Sequence, residues 1–179
     1  MKEAALGAFR ALAPKPGDPQ IIALLAAGEN AKVEFKSSAR WDLRENKKNP
    51  AMEQVILKTV AAFLNSDGGT LLLGVSDDGA VLGLDHDYQT LQKKNADGYE
   101  LFLGDLLLTH YGKDLSRFLK FSFHDIDGKR VCRIAIEPAP RAVWVKEGND
   151  EHLYIRSGNS TRRLTTKEAI EYCRNRFGS

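Results

Sequence analysis

"TVAAFLNSDGGTLLLGVSDDGAVLGL", Thr59 to Leu84, is the stretch whose reading decides the fold. Its first third closes a helical pattern that starts at Pro50, with Val55, Ile56, Val60, Phe63 and Leu64 on one apolar face. Asn65, Gly68 and Gly69 follow, residues that adopt a left-handed helix stop at little cost. "TLLLGV" is then an unbroken apolar run of the kind found in a strand covered on both faces. "SDDG" turns it, and "AVLGL" reads as the returning arm of a hairpin.

Working toward the N-terminus, "AKVEFKSS" alternates Ala31, Val33 and Phe35 with Lys32, Glu34 and Lys36, the period of a half-buried strand that turns Glu34 away from the core. Before it, Asp18 caps a helix that has Pro19 at its first position and runs through "QIIALLAAG" to a stop at Gly28. The prolines of "APKPGDP" separate residues 1–17, expected to be a flexible arm, from a domain over 18–177. Between strand and second helix, "ARWDLRENKKNP" is polar and basic and reads as an exposed loop.

Toward the C-terminus, Tyr88 to His110 carries helical apolar spacing interrupted near "NADGY", which predicts one broken helix or two short ones. "LKFSFHDI" and "RVCRIAIEP" form a hairpin about Asp127-Gly128. "RAVWVKE" and "HLYIRSG" pair about "GND", and a closing helix runs from the Thr165-Thr166 cap, with Glu168, to Phe177. About seven strands and four helices in mixed order predict an α+β fold: one domain with a mixed, mainly antiparallel sheet of six or seven strands flanked by the helices.

At 179 residues and 42% hydrophobic content, the chain supports one core. The net charge of +2 does not by itself announce a polyanion partner, but basic residues gather early, at Lys32 to Lys48, and late, at Arg156 to Arg176. The two groups are expected to converge on one concave strip. Cys132 and Cys173 lack metal or redox spacing and read as reduced thiols of a cytoplasmic protein. No apolar run approaches the roughly 20 residues of a membrane span. A phosphate-cradling G-x-x-x-x-G-K-[ST] is absent from the sequence.

Two sets of residues are candidates for chemistry. Glu29 and Glu34, with Asp77 in the later turn, offer hard oxygen ligands for a magnesium or manganese ion that would activate water beside a phosphate. The competing reading pairs Glu34 with Lys32 or Lys36 on a solvated face and leaves Glu29 as a helix-end acid. In "YIRSGNSTRR", Arg156, Ser160, Thr161, Arg162 and Arg163 combine guanidinium forks, hydroxyls and glycine, the chemistry of phosphate-backbone contact. Lys36, Arg40 and Arg44 would extend that contact, with Trp41 as a stacking surface. The alternative is a polar turn that caps the last helix. "GLDHDYQTL" reads as a surface turn, and alternation alone leaves Trp144 and Tyr154 open between core and platform.

Taken in order, "GENAKVEFKSS", the Thr59–Leu84 stretch and "LYIRSGNSTRRLT" resemble the Schlafen AlbA-type domain over roughly residues 18 to 177. The resemblance implies a nucleic-acid-binding fold, DNA or RNA, with transcriptional regulation among its roles. In some members it implies a metal-assisted ribonuclease built on three acids. Glu29, Glu34, Phe35 and Lys36 reproduce the E-x-x-x-x-E-F-K arrangement of that nuclease, whereas the position of its third acid, directly after Gly-Val, is Ser76, with Asp77 one residue on. The lobed architecture of the family also implies a homodimer for a single-lobed chain. A nucleotide-binding or protein-interaction module is the remaining alternative.

Overall fold

The computed structural model describes residues 17–178. The arm expected over 1–17 therefore lies, except for Gly17, outside the described residues. The order of elements is α1 (Pro19–Ala27), β1 (Val33–Lys36), β2 (Trp41–Asp42), β3 (Lys47–Lys48), α2 (Pro50–Asn65), β4 (Gly69–Leu73), α3 (Asp85–Gln89) and α4 (Ala96–Tyr111). A 3-10 turn (Lys113–Phe118) leads to β5 (Leu119–Ile126), β6 (Lys129–Ile136), β7 (Trp144–Glu147), β8 (Asp150–Ser157), β9 (Ser160–Arg163) and α5 (Thr166–Phe177). This is a mixed α+β domain. Its seven longer strands form two sheets: four strands in the order β1-β4-β6-β5, parallel only between β1 and β4, and the antiparallel β7-β8-β9.

The Thr59–Leu84 stretch sits where both sheets meet. Helix α2 begins at Pro50 under an Asn49 cap and buries Ile56, Leu57 and Val60 to Asn65 without interruption after Thr59. Strand β4 is as apolar as its run predicts, because α1 covers one face of the sheet through Ile21 against Leu72, Val75 and Val131, while α2 and α4 cover the other through Leu71 and Leu73. Between α2 and β4, Gly68 has φ +68°, and a Cβ there would stand 2.4 Å from the carbonyl oxygen of Ile136. Only glycine gives both the dihedral and the approach. At the other end of β4, "AVLGL" makes one bridge, Val75 to Val81, and no strand. Gly74 (φ +88°) bends the chain so that its carbonyl accepts from both Leu82 and Gly83, which replaces a ladder by a knot.

Other local predictions follow their sequence signals. Asp18 caps α1 through the Gln20 amide, and Thr165 and Glu168 form the reciprocal capping box of α5. The region from Tyr88 divides into α3 and α4, and Asp127-Gly128 turns the β5–β6 hairpin with both residues at positive φ. Two expectations are corrected. The 39–50 loop carries a short β2–β3 ribbon with Ala39 fully buried, and the end of "YIRSGNSTRR" is a strand, β9, paired to β8. Cys132, at the centre of β6, is buried, and burial pushes its thiol far above the ordinary range.

Candidate functional site: the seam between the two sheets

Strand β1 is an edge of the four-stranded sheet, so its outward backbone groups lack a ladder partner. The E-x-x-x-x-E-F-K residues supply the missing partners. The amide of Phe35 donates to Glu29 Oε1 at 2.8 Å, and the carbonyl of Phe35 accepts from Lys36 Nζ at 2.9 Å. Two residues earlier, Val33 exchanges backbone hydrogen bonds with Asn30, so the edge is sealed over its length. Glu29 thus performs, with its side chain, the work a neighbouring strand would do with its backbone.

Glu34 does not face solvent as its alternation predicts; it is 9% exposed. Its carboxylate receives Lys36 Nζ at 2.6 Å and Arg156 Nη1 at 2.8 Å. The Arg156 side chain, 3% exposed, also donates to the carbonyl of Asn30 at 2.9 Å and to Thr161 Oγ1 at 3.2 Å, and lies over the Phe63 ring at 4.6 Å. Period two gave the right face, but β8 of the second sheet covers that face and brings the arginine with it. Arg156 is therefore a pin between the two sheets, and both of its terminal nitrogens are engaged by protein acceptors.

Glu29 and Glu34 of the expected metal triad are likewise engaged by protein partners. Among the described residues no three His, Cys, Asp or Glu gather as a site for a metal ion. Glu29 is bound to a backbone amide and Glu34 to two cations. Asp77 stands exposed in the turn after β4, where Ser76 bonds instead to Asp78 at 2.5 Å and to the carbonyl of Ala80 at 3.1 Å. That hydroxyl, followed by the amide of Ala80, holds the Asp78 carboxyl below its usual range.

The remaining cations divide by exposure. Arg40 is drawn inward, to Glu53 at 3.0 Å and over the Phe102 ring at 4.2 Å. Arg44, in the β2–β3 turn, is exposed and has no ion pair among the described residues. Ser160, Arg162 and Arg163 are exposed on β9, an outer strand of its sheet, with Arg162 on Glu168 of α5. Lys36 keeps part of its ammonium in solvent. Through Thr161, Arg156, Glu34 and Lys36, an unbroken chain of contacts joins β9 to β1. Lys32 and Arg176 meet at the turn after α2, on the carbonyl and the carboxylate of Asp67 respectively. The early and late basic groups thus share one seam, although several of their charges are satisfied within it.

Two residues that the sequence places in a helix stop and in a surface turn hold the seam in place. Asn65, fully buried, donates to the carbonyls of Val143 and Tyr154 and accepts from the amide of Val143, all at 2.8–2.9 Å, which ties the end of α2 to β8 and to the chain entering β7. A polar residue closing a long apolar helix face was the available signal. Asp87, inside the supposed surface turn, is buried and accepts from Ser38 Oγ at 2.5 Å, from the amide of Ala39 at 2.9 Å and from Tyr99 Oη at 2.6 Å. It fixes where the basic 39–50 segment leaves β1. Burial, and then the Asp87 charge, push the Tyr99 hydroxyl well above its ordinary value. Trp41 stacks on His86 with ring centroids 5.8 Å apart, Tyr154 is core and Trp144 is exposed.

The Schlafen, AlbA_2 family model matches residues 29–165, most of the chain, including Glu29, Glu34 and Arg156 of this seam. The chain belongs to the Schlafen AlbA_2 family. Among solved structures, this AlbA_2 domain is similar to the DIP2311 protein from Corynebacterium diphtheriae, at 21% identity and a TM-score of 0.58, over 89% of this chain and 32% of that one. It thus spans about a third of that chain's length. It is also similar, at 21% identity and a TM-score of 0.49, to the N-terminal domain of a RecG-related protein from Nitrosomonas europaea, over 82% of this chain and 86% of that one. The first of these likenesses is one of fold. No helix among the described residues of the AlbA_2 domain is long and apolar enough to cross a membrane.

Proposed function

We propose that this AlbA_2 domain is a cytoplasmic nucleic-acid-binding module that contacts the phosphate backbone, and that it acts as a homodimer. The observation that carries the reading is the outer strand β9, pinned to β1 by Arg156 and presenting Ser160, Arg162 and Arg163 to solvent. Arginine forks and a hydroxyl on a rigid strand suit phosphate oxygens, which need position and charge but no base-edge geometry. Lys36, just before the 39–50 segment, and Arg44, within it, lengthen the contact. Family membership supports the same reading.

Fluorescence anisotropy on single-stranded and duplex oligonucleotides over a salt series tests it. Charge reversal of Arg162 and Arg163 together is expected to weaken binding more than tenfold and to lower the salt slope by roughly one per lost contact. Unchanged affinity and slope would remove the proposal. For the dimer, light scattering at rising concentration is expected to return twice the chain mass; a monomer throughout would remove that part alone.

A further inference from the structure

Strand β5 is the edge of the four-stranded sheet opposite β1. Its alternation sends Phe121 and Phe123 to the core shared with α2 and α4 and sends Ile126 to the α1 side, so Ser122 and His124 are neighbours on the α1 side. There the imidazole is held between two oxygens. Nδ1 of His124 lies 2.9 Å from Asp18 Oδ2, and its Nε2 lies 2.8 Å from Ser122 Oγ. The Gln20 amide, 2.8 Å from Asp18 Oδ1, holds the Asp18 carboxyl below its ordinary range. A carboxylate only accepts, so it fixes the ring proton on Nδ1; in the neutral ring Nε2 is then the acceptor, and Ser122 donates to it. A hydroxyl aimed at a base that is oriented by a third group is the arrangement that activates serine as a nucleophile. Ser122 is half-buried, so its oxygen is open to approach.

Arg133 of β6 is the register partner of Ser122, which puts both side chains on one face with Cβ atoms about 5 Å apart. Gln20 Oε1 accepts from its Nη1 at 2.9 Å, while its Nε has no acceptor among the described residues. Beyond His124 on the same face, Ile126 with Gly17, Ile22 and Leu25 lines a groove of about 450 Å³. We propose that Ser122 is the nucleophile of an esterase site, with His124 as general base, Asp18 as the residue that positions the ring, and Arg133 as the cation beside the oxyanion. Ser122 Oγ bonds to the carbonyl carbon of a carboxylic ester as its proton passes to His124 Nε2; the ester C–O bond then breaks and the leaving alcohol takes that proton. Water next attacks the acyl–Ser122 ester with His124 as base, which releases the acid and restores the hydroxyl. Esters of apolar alcohols suit the site, because the Ile126 groove adjoins the side of His124 where the alcohol is protonated.

Incubation of the full chain with diisopropyl fluorophosphate, followed by peptide mass spectrometry, tests the site. Phosphorus bonds to Oγ, the P–F bond breaks, and fluoride leaves with the serine proton. The adduct is expected on Ser122 about a hundred times faster than on Ser160, an exposed serine of β9 whose hydroxyl meets Asn159 instead of a base. His124→Gln is expected to slow Ser122 labelling about a hundredfold. Asp18→Asn keeps a helix-capping side chain but no longer demands the proton on Nδ1, so about tenfold slower labelling with unchanged helical circular dichroism is expected. Equal rates on Ser122 and Ser160, labelling indifferent to His124→Gln, or hydrolysis of 4-nitrophenyl butyrate that is unaltered in Ser122→Ala would each overturn the proposal.

Discussion

Single residues decide how the two sheets hold together. Arg156 and Glu34 form a nearly buried pair; removing Glu34 leaves the Arg156 charge without a carboxylate, and removing Arg156 leaves Glu34 with Lys36 alone and the Asn30 carbonyl without its donor. Arg156→Ala is expected to cost about 3–5 kcal/mol, whereas Arg156→Met with Glu34→Gln recovers much of that loss. Urea denaturation of the two variants checks this; a single substitution costing under about 1 kcal/mol would show that the pin carries little. Asn65→Ala leaves two carbonyls and one amide without partners in the interior. At about 1 kcal/mol for each lost bond, roughly 3 kcal/mol is expected by the same measurement.

Elements carry a different kind of dependence, in which a side chain completes a backbone pattern. Glu29 stands in for a strand at the edge of β1, so Glu29→Ala is expected to speed exchange of the Phe35 amide about fivefold, the equivalent of about 1 kcal/mol of local protection. Exchange followed by NMR reads this directly, with the Leu72 amide of β4 as internal control. The start of α5 is sensitive to acid. The Thr165 amide, then its hydroxyl, then the Arg162 charge hold the Glu168 carboxyl below its ordinary 4.5. A carboxyl lowered by folding adds stability above its unfolded value and loses it as pH falls through the folded one. Exchange at the first turn of α5 is therefore expected to rise below about pH 4.5 in the native chain, and to be flatter with pH in Glu168→Gln.

The same scale shows what was legible in the sequence. Helix α2, strand β4 and the β5–β6 hairpin were readable because periodicity, caps and turn residues all act within a few positions of one another. Glu34 was not, because its burial depends on an arginine 122 positions away. Asp87 looked like a turn acid because its three donors come from Ser38, Ala39 and Tyr99. The structure brings Lys36, Arg162 and Arg163 to the surface of one seam, whereas Glu29, Glu34 and Arg156 are engaged by protein partners within it. Long-range pairing of polar residues leaves no local period to detect.

At the scale of the whole molecule, Asn65, Arg156 and α2 bind the two sheets, and the largest core is shared, with Leu71 and Ile134 of one sheet and Val145 and Tyr154 of the other in a single cluster. A single cooperative transition in denaturant is the expected behaviour, with the far-ultraviolet signal and tryptophan fluorescence coincident. Two separated transitions would mean that the β7-β8-β9 sheet opens before the four-stranded one. Cys132 turns this into chemistry. Its sulfur is wrapped by β4 and β5 on either side and is held as the unreactive thiol, whereas Cys173 is partly accessible on α5. An alkylating reagent should therefore modify Cys173 promptly and Cys132 only in molecules that have come apart, so the native chain carries its own clock for how often the fold is lost.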